Sequence, residues 1–105
     1  TAKALMRHAR ERAQRRDLPE LAIVEAEILL AEGKSRRAIV AYLDVGRKFA
    51  NDANAESALF AAAQVALDHP EAGYEGIKLL QQYLARYPRG RFRDDAQRLM
   101  QVFSK

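Results

Sequence analysis

Apolar residues recur along most of this chain at offsets of three and four. That is the spacing of one face of a helix, not the two-residue alternation of a strand. From about Ala2 to Arg16 the stripe is thin: Leu5, Met6, Ala9 and Ala13. "DLPE" follows, where Asp17 can cap, Pro19 fits a first turn and Glu20 can reach back as a capping-box partner. The next predicted helix runs from about Pro19 to Glu32 and stops at Gly33. Leu21, Val24, Ile28 and Ala31 form its stripe, broadened by Ile23 and Leu30. Ser35 is a candidate cap for a third helix that continues to Phe49 with Ala38, Tyr42, Val45 and Phe49 on one face. "ANDANAE" reads as a loop. Between Ala58 and Leu67 only Gln64 is polar, which predicts a helix buried between neighbours, with Ala58 and Ala61, Ala62 and Ala63 letting them come close.

"DHPE" repeats the start chemistry of "DLPE" and predicts a fifth helix to about Tyr87, with Ile77, Leu80, Leu84 and Tyr87 aligned. Gly76 falls inside it and costs about 1 kcal/mol relative to Ala, so close backbone packing is expected there. "YLARYPRGRFRDDAQRL", residues 83–99, interleaves five arginines with aromatics and invites a nucleic-acid reading. The periodicity gives a plainer one. Pro88 ends the fifth helix, Gly90 suits a left-handed turn, and a sixth helix follows with Phe92, Ala96, Leu99 and Phe103 on its stripe. Asp94 and Asp95 then occupy its first turn, where the helix dipole favours carboxylates. The arginines are left to the solvated side.

Composition supports this all-helical reading. The 105 residues include twenty alanines, five glycines and three prolines, and suffice for one domain with a real core. No apolar run is long enough to cross a membrane. No signal peptide is legible at Thr1, and the chain opens inside a helical pattern, which fits a mature product or an excised domain. Without cysteine there is no disulfide, thiolate or Cys-based zinc site, and both reducing and oxidising compartments stay open. Charge is unevenly placed. Residues 1–16 carry six bases (Lys3, Arg7, Arg10, Arg12, Arg15, Arg16) against Glu11, while residues 17–32 carry five acids and no base.

Sliding the chain on itself by 38 residues aligns Ala38 with Gly76, Ile39 with Ile77, Tyr42 with Leu80, Val45 with Tyr83, Phe49 with Tyr87 and Ala58 with Ala96. A helix pair that repeats must stack to bury its apolar face. At these residues the chain resembles the tetratricopeptide repeat family. "EGKSRRAIVAYLDVG" supplies Gly33, Ala38, Tyr42 and Val45; "YEGIKLLQQYLARYP" supplies Gly76, Leu80 and Pro88, with Tyr83 where that family has a small residue. "YPRGRFRDDA" is similar to diverged repeats of bacterial envelope proteins. The spacing of 38 exceeds the family's usual 34, and Ala50, Ala26 and Gln64 depart from its pattern. Over residues 20–104 the resemblance implies a right-handed solenoid of about three antiparallel helix pairs. The expected divisions are a basic helix over 1–17, pairs over 19–50 and 53–88, and a terminal half-repeat over 91–104.

Chemistry finds little purchase. His8 and His69 are far apart and neither has a companion at metal-ligand spacing. The three serines lack a nucleophile-elbow context. Adjacent Asp94 and Asp95 diverge by about 100° on a helix and cannot face one substrate. The sequence therefore predicts neither catalysis nor a cofactor or metal. The resemblance implies instead a protein or peptide partner on a concave face formed by Glu20, Ile23 and Glu27, by Ala61, Val65 and Asp68, and by Leu99. It also makes periplasm or cell envelope the favoured setting. An apolar floor with an acidic rim suits a segment carrying basic residues. An alternative is a regulatory or nucleic-acid-associated role for a basic patch of Lys3, Arg12, Arg15 and Arg16. No recognition motif accompanies that charge, and the acidic helix after it offers the patch an internal partner. A third reading is an oligomerisation segment. Met100 and Val102 lie off the last stripe, so that end is expected to meet another copy, the rest of a parent chain or a partner.

Overall fold

The structure, a computed structural model, describes residues 2–3 and 18–104. Among these it is all-α, with no strand. Five helices follow in order: α1 (Leu18–Ala31), α2 (Ser35–Lys48), α3 (Ala53–Asp68), α4 (Gly76–Arg86) and α5 (Arg93–Phe103). A single 3-10 turn, Pro70–Ala72, stands between α3 and α4. The helix expected over 2–16 and its boundary at Asp17 lie outside the described residues, apart from Ala2 and Lys3, which are helical.

Each helix packs mainly on its neighbours in sequence, and α1 also reaches α3 directly. The central element is α3, as its nearly all-apolar run predicts: Ala55, Ala58, Phe60, Ala62, Ala63, Val65 and Ala66 are buried. Methyl side chains let three other helices approach its backbone. Onto it α2 brings Ala38, Ile39, Tyr42 and Val45, and α4 brings Leu79, Leu80 and Tyr83. Five of the six aligned pairs related by 38 residues match in burial; Ile39 is buried where Ile77 is half-buried. Ala38 and Gly76 are buried, as are Tyr42 and Leu80, Val45 and Tyr83, and Ala58 and Ala96, while Phe49 and Tyr87 are both half-buried.

Several expectations need correction. On α1 the inward face is Pro19, Ala22, Ile23, Ala26 and Leu30, which includes the broadening residues Ile23 and Leu30 but not the expected stripe: Leu21 and Ile28 are half-buried, Val24 is 40% exposed and Ala31 is exposed. This helix is apolar nearly all round, so its pattern does not select a face. The small side chains of Ala22 and Ala26 do, because they allow the closest approach. Ser35 is the first residue of α2 and does not cap it; the capping position is Lys34. The expected loop "ANDANAE" is largely helix, because Asp52 accepts from the Asn54 N–H at 2.8 Å and starts α3 at Ala53. "DHPE" does not repeat "DLPE". His69 closes α3, Pro70 opens the 3-10 turn, and Gly73 at φ +85° redirects the chain before α4. Gly76 is thus the first residue of α4, not an interior one. The close packing expected of it is present, since a Cβ there would lie 2.6 Å from two Leu67 side-chain carbons. Phe103, assigned to the core stripe, is 45% exposed.

Candidate interaction surface

The turn from α4 into α5 is held by a polar knot around Tyr83. Its ring is fully buried between Phe60, Tyr87 and Phe92. A buried phenol needs a partner for its hydroxyl. Tyr83 donates to Glu56 Oε2 at 2.7 Å and accepts the Phe92 backbone N–H at 2.9 Å. The Arg91 N–H also donates to Glu56 Oε2, at 2.6 Å. The Arg91 guanidinium bonds Ala53 O at 3.1 Å and Ser57 Oγ at 2.8 Å. The start of α3 is therefore tied to the start of α5. Burial pushes the Glu56 carboxyl up, but the bonds from Tyr83 and Arg91 outweigh it and leave its pKa below the usual carboxylate value. Burial, and then the bond to Glu56, push Tyr83 up to about 12.

Arg91 lies on the solvated side, as expected, and is also a structural anchor. One expectation is corrected. Gly90 has no positive φ; the positive-φ glycines are Gly33 and Gly73. It is required for space, because a Cβ at Gly90 would run into Glu56 Oε2 and lie 2.5 Å from the Tyr83 oxygen.

Of the residues expected to form a partner-binding face, Glu20, Glu27 and Asp68 are exposed. Ile23, Ala61 and Leu99 are partly buried against the core, and Val65 is 6% exposed within it. The carboxylates are thus available on two helices in contact, α1 and α3, while Val65 offers a ligand almost no surface. The alternative basic patch is described only at Lys3. Its Nζ stands 3.7 Å from Glu32 Oε1, which Lys34 also approaches at 3.6 Å. Lys3 lowers the pKa of Lys34 against the pull of Glu32. Arg12, Arg15 and Arg16 lie outside the described residues.

A concavity that the sequence reading missed opens between α2 and α4, over the first turns of α3. It has a volume of about 640 Å³ and is lined by Val40, Leu43, Gly46, Leu59, Tyr74 and Ala85 together with the polar Asp44, Arg47, Gln82 and Arg86. Its one legible signal is Gly46, a helix-interior glycine beside the repeated core positions. Among the described residues no group of three or more His, Asp or Glu side chains could hold a metal ion, and no helix is long and apolar enough to cross a membrane. His69 pairs locally with Glu71, Nδ1 to Oε1 at 2.9 Å.

The chain matches no protein-family model, no curated protein and no solved structure.

Proposed function

We propose that this chain is a non-enzymatic protein–protein interaction module built as tetratricopeptide-like repeats are. On this reading α1 with α2, and α3 with α4, are antiparallel pairs stacked in a short right-handed solenoid, and α5 begins a further unit. The direct contact between alternate helices α1 and α3 is the observation that carries it. In a stack of pairs, the first helices of successive pairs lie side by side and form a continuous face. Matched burial across the 38-residue repeat supports the same arrangement.

The partner is a peptide or protein segment carrying apolar and basic residues. It lies on the face that presents Glu20, Ile23 and Glu27 of α1, Ala61, Val65 and Asp68 of α3, and Leu99 of α5. Of these, the three exposed carboxylates supply the attraction, and Ile23, Ala61 and Leu99 supply partial apolar surface. Bacterial cell-envelope assembly is the setting that the "YPRGRFRDDA" resemblance favours. A labelled amphipathic peptide of leucines and lysines tests the reading by fluorescence anisotropy. Glu20→Lys with Glu27→Lys should weaken binding about tenfold or more, and equal affinity would count against it.

A second reading is self-association. It is favoured by one observation: Val102 and Phe103 on α5 are 64% and 45% exposed. Sedimentation across a concentration series distinguishes a monomer from a dimer.

A further inference from the structure

We infer that the outer stripe of α1 is an internal docking surface, and that its occupant is the basic segment of this same chain, residues 4–17. The inward face of α1 packs against α2 and α3 through Ala22, Ile23, Ala26 and Leu30. A second apolar line runs along the opposite side. Val24 and Ile28 each stand two residues from the fully buried Ala26, about 160° round the helix from it. Leu21 and Ala31 continue that line at helical spacing. Among the described residues, Leu21, Val24 and Ile28 are not part of the set packed against the core, and Val24 and Ala31 are exposed.

Acidic side chains border this stripe on both margins. Glu20 and Glu27, seven residues apart, follow one edge, and Glu25 and Glu32 follow the other. No base falls within Leu18–Ala31. An apolar line between two rows of carboxylates fits an amphipathic helix that carries bases beside its own apolar line.

The chain supplies that helix. Residues 4–17 hold Leu5, Met6, Ala9 and Ala13 at helical spacing, with five arginines against Glu11 and Asp17. Both ends of the segment are tied to α1. Asp17 is joined to Leu18, the first residue of α1. Lys3 stands at the far end of α1, with its Nζ 3.7 Å from Glu32 Oε1. Leu18 to Glu32 spans about 21 Å of helix, and Lys3 to Leu18 spans about 22 Å as a helix. The two lengths match, so a helix joining these points runs antiparallel along α1. The inner side of α1 is taken by α2 and α3, which leaves the outer stripe. Docked there, the arginines meet carboxylates and do not form a strip for phosphate. Glu20 and Glu27 also belong to the partner face proposed above, but the docking stands without that reading.

The test uses the whole chain with labelled methyl groups. Nuclear Overhauser contacts are expected from Met6 and Ala9 to Ile28, and from Ala13 to Leu21. A mixture of labelled and unlabelled chains separates contacts within one molecule from contacts between two. Val24→Gln with Ile28→Gln changes the outer stripe and leaves the inward face of α1 as it is. In that variant hydrogen exchange of the amides of residues 5–16 should quicken about tenfold or more, with exchange over Ala58–Ala66 unchanged. The inference would be overturned by no contact from residues 4–17 to the outer stripe, by contacts only between molecules, or by unchanged exchange over residues 5–16 in the variant.

Discussion

Replacing Tyr83 by phenylalanine keeps the ring and removes one oxygen, and the structure gives that oxygen two partners. It donates to Glu56 at 2.7 Å and accepts the Phe92 N–H at 2.9 Å. The bond to a carboxylate contributes about 1.5–3 kcal/mol, and an N–H left without its acceptor costs about 1–3 kcal/mol. These share one network, so the combined loss is placed at roughly 2–4 kcal/mol. Against a total stability of about 5–15 kcal/mol, that is a large fraction. In a chain of this length each kcal/mol moves the melting temperature by about 4 °C, so a fall of roughly 8–16 °C is expected. Urea unfolding followed by circular dichroism reads the change as a lower midpoint with an unchanged slope. Glu56→Gln and the double variant complete a cycle whose coupling should be about 0.5–3 kcal/mol. A loss below about 0.5 kcal/mol for Tyr83→Phe would refute the knot, because that is the scale of an ordinary surface change.

The other predictions concern the glycines, pH and the exposed end. Gly90→Ala should destabilise by about 2 kcal/mol or more through its clash with Glu56 and Tyr83, whereas Gly46→Ala should stabilise by about 0.5–1 kcal/mol; denaturation midpoints decide both. Glu56 has a folded pKa below its ordinary 4.5, so its contribution is present above pH 4.5 and is lost as pH falls through the lowered value. Tyr83 is raised from 10.0 to about 12, so its contribution is full below pH 10 and is lost as pH rises toward 12. A stability–pH profile should show both limbs, and Glu56→Gln should abolish the acid limb from this site. Phe103→Ser should change stability by less than about 0.5 kcal/mol, since the ring is 45% exposed; a large loss by thermal melting would contradict its placement.

Much of the fold was legible because its signal is periodic. On α4 only Leu80 of the expected stripe is fully buried, with Leu79 and Tyr83 beside it, while Ile77, Leu84 and Tyr87 are half-buried. The face of α2 and the burial of α3 follow directly from apolar spacing. The face of α1 did not, because a helix apolar nearly all round carries little angular preference until its neighbours are known. The Glu56, Tyr83 and Arg91 knot was hidden for a different reason: it joins residues 27 and 35 positions apart, and no local pattern records that pairing. One clue was present, a tyrosine in a slot where the repeat pattern wants a small residue. The left-handed turn expected at Gly90 failed because turn chemistry and steric exclusion select the same residue. Of the expected partner face, the exposed acids were readable as charge, but Val65 was not readable as core. The α2 and α4 groove is a gap between elements, which sequence periodicity does not encode.

The proposed partner-binding face joins α1 and α3. Amide chemical-shift mapping with the leucine–lysine peptide tests it most directly. The predicted result is a contiguous set of changes at Glu20, Ile23, Glu27, Ala61, Asp68 and Leu99, lost with Glu20→Lys and Glu27→Lys. Changes gathered on α2 and α4 instead, or scattered over both sides of the molecule, would contradict it.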